Sequence, residues 1–510
     1  MDEDALLTGE PPVYLLGYDI GSSSIKASLL EAASGAVIAA ATSPGTEMPI
    51  RAERPGWAEQ DPALWWQHVV AATAEIRTRA GGRLREVAAV GISYQMHGLV
   101  LVDRDLAVLR PAIIWCDSRA VSIGERAFAH LGPEQCLGRL LNSPGNFTAS
   151  KLRWVRENEP ETYRRIHAFM LPGDYIAARM TGEVRTTPSG LSEAVLWDFR
   201  EGRPADLVLA HYDISPELIP PLVGTFALQG QLTRAAAAEL GLPAGTPVSY
   251  RAGDQPNNAL SLNVLHPGEM AATAGTSGVV YGVSGQPVAD ARSRVNTFLH
   301  VNHTPDRPRC GVLLCVNGTG ILNSWLKTQC WPAGAAAYDE MNAAAAQVPV
   351  GAAGLSILPF GNGAERTLGN RNLGASIHGL QLTIHARAHL ARAVQEGIVF
   401  ALHFGIGTLR EMGLTLGTVR AGHANLFLSP LFCEAFATLT GARIELYQTD
   451  GSQGAARGAG IGAGIYPAPE EAFVGLQAVR TIQPRPELAA AYQEAYHRWS
   501  RILERELARP

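Results

Sequence analysis

Short apolar runs broken by glycine, serine and proline fill the first hundred positions. Val13–Asp19, Ser24–Leu30 and Val37–Thr42 are three such runs, and their length and boundaries predict three consecutive strands. At Asp61–Ala80 the period changes: apolar residues recur at helical spacing behind Asp61 as N-cap and Pro62 as first helical residue. Val87–Ser93 predicts a fourth strand. Further on, Met270–Val280 reads as strand, Gly-Thr-Ser-Gly turn, strand, which repeats the device at the start of the chain and suggests an internal duplication. Gly318-Thr319-Gly320 is expected to open a helix containing Trp325. A long helix is expected over Ala386–Met412, with His389, Ala393, Gly397 and Ala401 on one small face, followed by the strand-like Leu416–Arg420. Pro486–Leu507 closes the chain as an amphipathic helix.

At 510 residues the chain exceeds one ordinary core, so two domains are expected, at 13–263 and 264–510. A formal net charge of −5 argues against a nucleic-acid partner held by phosphate neutralisation and fits a small-molecule enzyme. The six cysteines include no CxxC pair, and Cys310 and Cys315 flank an apolar run, so free thiols in a reducing compartment are expected. Met1-Asp2-Glu3-Asp4-Ala5 has the wrong sign for a signal peptide, and no apolar stretch approaches a membrane span. A cytoplasmic protein without membrane partner is the expectation; a homodimer is compatible with it.

Three stretches carry more chemistry than loops need. Gly17–Lys26 places Asp19 at a strand end, then Gly21 for a tight turn, Ser22, Ser23 and Ser24, and Lys26. Unpaired N–H groups, hydroxyls and a cation suit a phosphate chain, and the carboxylate suits Mg²⁺ or its water shell. An ordinary hairpin with a serine-rich turn has the same sequence. Gln95-Met96-His97-Gly98 and Ile114-Trp115-Cys116-Asp117-Ser118-Arg119 both follow apolar runs, where ligands sit in open α/β sheets. In Pro247–Ala259 a strand ends at Gly253-Asp254, and a small-residue helix is expected after Pro256. A carboxylate there can serve as general base toward an alcohol, or simply cap the helix. The strand Ile444–Tyr447 and the glycines of Gly458–Gly464 superficially offer a dinucleotide fingerprint, but they alternate and no βαβ unit follows; a small-residue helix packed closely on its neighbours is the better reading.

The chain resembles the FGGY family of carbohydrate kinases, and within it the xylulokinases, from about Tyr14 to Tyr466. The resemblance rests on Asp19-Ile20-Gly21-Ser22-Ser23-Ser24-Ile25-Lys26, Gly56–Pro62 with Trp65-Trp66, Gln95–Gly98 and Arg110–Arg119. Leu171-Pro172-Gly173-Asp174-Tyr175 and Leu358–Thr367 also resemble family motifs. It implies an α/β, actin-like, ribonuclease-H-like two-domain ATPase fold with the active site in the interdomain cleft. The N-terminal domain would hold the sugar and the first phosphate hairpin, and the C-terminal domain the second hairpin and the adenosine, closing about a hinge near Ser261–Gly268.

The implied activity is ATP-dependent phosphorylation of a ketopentose, D-xylulose first, on its 5-hydroxyl, with Asp254 as general base. Asp19 would place Mg²⁺. The sugar would meet Met96, His97, Trp115, Asn146, Asp254 and Gln255. Gly21, Ser22, Ser23, Lys26, Gly275, Thr276, Ser277, Gly320, Gly422 and Asn425 would bind ATP. The chain departs from the usual Gly-Gly-Asp-Asn at Gln255-Pro256; Gln255 also resembles glycerol kinases, which keeps L-ribulose, glycerol or another polyol open as substrate. A non-catalytic sugar-binding regulator is the reading from another class; the intact Asp19 and Asp254 count against it.

Overall fold

The structure, a computed structural model, describes residues 12–331, 334 and 337–509; the acidic opening Met1–Ala5 lies outside them. The chain forms two compact units. The first comprises residues up to Gly132, Pro144–Asn263 and Asp450–Leu476, and the second Pro133–Ser143, Val264–Thr449 and the C-terminal segment from Gln477. The chain passes between units at 263/264, and the segment Asp450–Leu476 returns to the first.

The first unit is built on β1 (Tyr14–Ile20), β2 (Ile25–Glu31), β3 (Val37–Ser43), β4 (Val87–Tyr94), β5 (Phe226–Gln231) and β6 (Pro247–Gly253), in the order β5-β6-β4-β1-β2-β3. β1, β4 and β6 are parallel neighbours; β2 lies antiparallel to β1, β3 antiparallel to β2, and β5 antiparallel to β6. The first four strands match the apolar runs to within a residue. Helix α1 (Pro62–Ala80) also starts where expected: Asp61 Oδ1 accepts the Ala63 N–H at 2.9 Å, and Pro62 is the first helical residue. Its buried Trp65, Val69, Ala72 and Ile76 form one face. Helices α2 (Thr148–Asn158), α3 (Pro172–Thr181), α4 (Pro188–Glu193) and α5 (Asp254–Ser261) complete the surroundings of the strand ends.

The second unit repeats this scheme. β7 (Met270–Ala274) and β8 (Gly278–Ser284) form a hairpin; β9 (Asn296–Leu299) and β10 (Cys310–Val316) extend it on one side. β11 (Thr418–Gly422) and β12 (Arg443–Tyr447) lie parallel to β7 on the other, and β13 (Ala478–Ile482) ends the sheet antiparallel. A hairpin, an antiparallel third strand, two parallel strands and an antiparallel edge thus occur in both units, as a duplication predicts. The chain reaches the last edge before the second parallel strand in the first unit and after it in the second.

Around the second sheet lie α6 (Gly320–Cys330), α7 (Arg387–Glu411) and α8 (Pro430–Thr440). α7 is buried on all sides through Ala391–Leu402, so it is a core helix with more than one small face against neighbours. Gly397 meets the Ile357 carbonyl directly, with no room for a Cβ. α9 (Gly451–Gly462), in the first unit, is the small-residue helix expected in place of a dinucleotide site. α10 (Pro486–Leu507) has the predicted bounds and buries Tyr492, Ala495, Trp499 and Leu503 on one stripe. All six cysteines are free thiols, and both Cys310 and Cys315 lie on β10. Among the described residues, no helix is long and apolar enough to cross a membrane.

α9 packs backbone to backbone on the first sheet. A Cβ on Gly91 would overlap the Ala455 carbonyl, and one on Gly17 the Ser452 carbonyl. Gly91→Ala should therefore lower stability by about 1–3 kcal/mol, the usual cost of overpacking. Gly407→Ala, inside α7 with nothing within 4 Å of its Cβ, should raise stability by about 0.5–1 kcal/mol. Thermal melts of the two variants give the comparison; equal midpoints would contradict the packing argument.

Candidate active site

In the first unit, β1, β4 and β6 end level with one another: Ile20 pairs with Tyr94, and Tyr94 with Gly253. Three loops leave this common edge, namely Gly21–Ser24, Gln95–Gly98 and the turn into α5 at Asp254. The carboxyl edge of parallel strands is where α/β sheets hold ligands. The edge thus collects predicted residues from three remote parts of the chain.

The first loop is the β1–β2 hairpin, with Asp19 opposite Lys26 and Ile20 opposite Ile25. The Gly21 N–H donates to the Ser24 carbonyl at 3.1 Å, closing a tight turn that carries Ser22 and Ser23. Asp19 Oδ1 accepts the Ser93 hydroxyl at 2.8 Å. Burial raises its pKa; Lys26 and the Ser93 bond oppose this, and the Asp450 charge adds to it. Its second oxygen faces Gly451, where a Cβ would stand 2.5 Å from Oδ2.

Asp254 is the first residue of α5, so the helix starts three residues before the expected point beyond Pro256. The proline is accommodated because its missing N–H falls in the first turn, where no helical carbonyl is available to accept it. Burial, reinforced by the Asp19 charge, pushes Asp254 up to about 7, while the Gln255 backbone and side chain donate to its carboxylate and lower it in part. Gln255 thus uses its side chain on Asp254.

Met96 is buried, and His97 adopts a left-handed backbone with φ 62°. The His97 ring packs edge-on against Phe147 with centroids 4.8 Å apart, and its Nδ1 bonds the Glu193 carbonyl at 2.9 Å. Lys151 is fully buried, and its Nζ donates to the carbonyls of His97 at 2.8 Å and Ile114 at 3.0 Å, so one ammonium ties the two loops together. Burial lowers its pKa to about 8.

Trp115 is about half exposed at 49% and donates its indole N–H to Ser22 Oγ at 3.3 Å, which places it against the phosphate-type hairpin. Its loop is anchored by Arg119, which pairs with Asp117 at 2.6 Å and Glu59 at 2.8 Å and lies 3.8 Å over the Trp57 ring. Asn146 donates its amide to the Asp117 carbonyl, while its Oδ1 has no hydrogen-bond partner.

The second unit gathers the other predicted residues by the same logic. Gly275, Thr276 and Ser277 form the β7–β8 turn, with Ala274 opposite Gly278. A Cβ on Gly320 would overlap the Gly275 carbonyl, and the Ile321 N–H donates to the Thr276 carbonyl at 3.1 Å. The start of α6 therefore rests directly on the hairpin, which is why glycine occupies position 320. Gly422 ends β11, and Asn425 follows with a left-handed φ of 54°. A Cβ on Gly275 would lie 3.6 Å from Asn425 Nδ2, so both ends of the predicted nucleotide set converge on one hairpin. Buried Glu365, in the Leu358–Thr367 motif, accepts the N–H groups of Asn317 at 3.0 Å and Gly318 at 3.2 Å and fixes the loop before α6. An apolar cavity of about 470 Å³, lined by Ile321, Trp325, Ile357, Pro359, Ile377 and Val394, opens beside α6.

Lys151, Arg119, Ser93 and Glu193 were not singled out by sequence. Lys151 and Arg119 sit in motifs that resemble the family's, but only folding reveals that their charges are buried and bonded. Glu193 follows Ser189-Gly190-Leu191-Ser192 and precedes Ala194-Val195-Leu196. Its apolar flank was the one available sign of burial.

Two family models match the chain: the N-terminal domain of the FGGY family of carbohydrate kinases over residues 14–261, and the C-terminal domain of that family over 270–465. The chain is 30% identical over 500 residues to a xylulose kinase of Escherichia coli (strain K12), covering 96% of this chain and 99% of that protein. It is 31% identical over 504 residues to an L-xylulose/3-keto-L-gulonate kinase of the same organism, covering 96% of each. The crystal structure of a xylulose kinase from Rhodospirillum rubrum, 28% identical, superposes with a TM-score of 0.85 over 97% of this chain and all 100% of that one. With the actin-like two-domain ATPase fold that such neighbours share, and with matches spanning both units, the chain belongs to the FGGY family of carbohydrate kinases and is a sugar kinase.

Proposed function

We propose that this sugar kinase transfers the γ-phosphoryl group of ATP to the 5-hydroxyl of D-xylulose, with Asp254 as general base. The observation that carries the reading is a partly buried carboxylate, at the carboxyl edge of the parallel strands, whose pKa stands at about 7. A base matched to neutral pH takes the hydroxyl proton as the oxygen attacks, without being permanently protonated. Met96, His97, Trp115, Asn146 and Gln255 line the proposed sugar site. Xylulose kinases among the relatives, together with the Met96-His97 pair, favour a ketopentose. The relative that acts on L-xylulose and 3-keto-L-gulonate keeps a different ketose as the second reading.

In this reading the hairpin Gly21-Ser22-Ser23 and Lys26 face the phosphates from the first unit. Gly275, Thr276, Ser277, Gly320, Gly422 and Asn425 hold the nucleotide in the second. The N–H groups and hydroxyls of both turns are the donors a polyphosphate needs. The apolar cavity beside α6 offers surface suited to a purine. Asp19 fits a hydrated Mg²⁺: one oxygen is oriented by Ser93, and glycine at 451 keeps a side chain off the other. Mg²⁺ usually takes only one or two protein carboxylates and completes its shell with water and phosphate. When bound, it would offset charge on the phosphates. A cytoplasmic location, where ATP is available and six free thiols stay reduced, completes the proposal.

An ADP-release assay over D-xylulose, L-xylulose, L-ribulose, glycerol and gluconate tests the substrate. D-xylulose should give the highest kcat/KM by about tenfold, the effect of one well-placed hydrogen bond or so; a higher value for another polyol would replace it. Asp254→Asn should lower kcat by about 10²–10⁴-fold with little change in KM for ATP. Because the base must be deprotonated, log kcat/KM of the unsubstituted enzyme should rise with unit slope below a break near pH 7 and level off above it. Thr276→Ala should raise KM for ATP several-fold while leaving KM for sugar in place; the reverse pattern would remove the β7–β8 turn from the nucleotide site.

A further inference from the structure

Glu193, at the end of α4, is 2% exposed and lies directly behind two of the loops at the strand edge. Its backbone carbonyl bonds Nδ1 of His97 at 2.9 Å, and its carboxyl accepts the His97 backbone N–H. Since a carbonyl can only accept, Nδ1 carries the proton, which fixes the tautomer of the neutral ring. The same carboxyl borders the base loop: a Cβ on Gly253, next to Asp254, would stand 2.5 Å from Glu193 Oε2. The Tyr94 hydroxyl also interacts with this carboxyl.

His97 needs such a brace. A non-glycine residue at φ 62° sits in a sparsely populated region that costs about 1 kcal/mol or more. Three bonds hold it there: its N–H and ring Nδ1 to Glu193, and its carbonyl to Lys151. Gly253 must be glycine for the Glu193 carboxyl and the Met96 side chain to fit beneath the turn.

We propose that Glu193 is a positioning residue of the kinase: by bonding the backbone and ring of His97 and packing under Gly253–Asp254, it sets the sugar loop and the base turn relative to each other. The inference rests on the proposed roles of His97 and Asp254. The charged and titratable groups facing the carboxyl are Tyr94 on β4, His97 on the loop after it, Asp174 on α3, Asp254 on α5 and Lys151 on α2. Burial first, then the carboxylates of Asp254 and Asp174, hold Glu193 well above the usual carboxylate range. Glutamine, of the same length, keeps an oxygen that can accept the His97 N–H, so it can stand in for the carboxyl.

The test compares Glu193→Ala, Glu193→Gln and Glu193→Asp in the full-length enzyme, with D-xylulose and ATP. Glu193→Ala should raise KM for D-xylulose about tenfold, as expected for loss of a buried hydrogen bond that orients a binding group, with KM for ATP held within about twofold. Glu193→Gln, whose amide oxygen still accepts the His97 N–H, should recover most of that loss and leave the acid break of the pH profile near 7. Glu193→Asp, one methylene too short to reach His97, should resemble the alanine variant. An unchanged KM for D-xylulose in both the alanine and aspartate variants would overturn the proposal, as would a glutamine variant with a displaced acid break. Should the alanine variant fail to fold in a thermal melt, the contrast between glutamine and aspartate decides the question. Full turnover by Asp254→Asn would sink the base assignment alone, leaving the effect of Glu193 on sugar KM to be read by itself.

Discussion

The first unit depends on one close contact, the approach of helix α9 to its sheet without side chains in between. Gly17 and Gly91 on the strands admit the helix backbone at Ser452, Ala455 and Ala456. In return, Gly458 of the helix admits the Tyr250 ring, with a would-be Cβ only 2.5 Å from Cγ, and Gly462 admits the Ser249 carbonyl. Three further bonds lock the arrangement: Ser28 with Ser452 at 2.7 Å, Ser249 to the Ala459 carbonyl at 2.8 Å, and Asn257 to the Gly451 carbonyl at 2.8 Å. The helix comes from late in the chain, yet its first turn stands beside Asp19 at the end of β1. Through Asn257 it also fixes α5, whose first residue is Asp254. One packing contact thereby brings the two functional carboxylates of the proposed mechanism to the same edge.

That edge concentrates negative charge in a buried setting, and the consequences are electrostatic. Asp19, Asp174, Glu193 and Asp254 all have raised pKa values, with burial the leading cause in each. Their partners differ. Asp174 has Arg251 at 2.9 Å, and Asp19 has Lys26 and the Ser93 hydroxyl. Glu193 meets two like charges, Asp254 and Asp174, which add to burial in raising it. Asp254 lies between these cases, with Gln255 favouring its charged form and Asp19 opposing it. Neighbouring carboxyl groups driven apart in pKa can take different proton roles in one site.

Much of this was legible in the sequence, because the signals involved are local. The hairpin at Gly17–Lys26, the capped start of α1 at Asp61-Pro62 and the bounds of α10 follow from period and capping alone, and each stands within a residue of its expected place. The repeated strand-turn-strand at Met270–Val280 likewise announced a second sheet of similar plan. What local signals could not reveal is where a charge is buried. Lys151 carries no local sign of burial, yet its ammonium ends on two carbonyls of other loops. Gly458, Gly460 and Gly462 pack closely as expected, whereas Gly464 lies past the helix with nothing within 4 Å of its Cβ; the sequence did not reveal which strands the helix packs on. The start of α5 was placed too late because proline was read as a boundary, although a first-turn proline loses no helical bond.

Gln255 is where the sequence departs from the commonest xylulokinase pattern, and its bonding bears on what that departure means. An amide directed at the sugar would take part in choosing the substrate. Here backbone and side chain of Gln255 both donate to Asp254, so the residue tunes the base. A donor to the charged form lowers the pKa that burial and Asp19 raise, and the balance falls at about 7. On the proposed mechanism, discrimination among polyols falls to the residues that remain along the edge, chiefly the Met96-His97 loop and Trp115. A change at position 255 alters how readily the hydroxyl proton is removed from any bound sugar. A change in the bracing of His97 alters which sugar is held there, because the left-handed loop can present its ring in one orientation only while both Glu193 and Lys151 hold its backbone. On the proposed mechanism, the unusual Gln255-Pro256 is compatible with a ketopentose substrate, and specificity is assigned to the loop after β4.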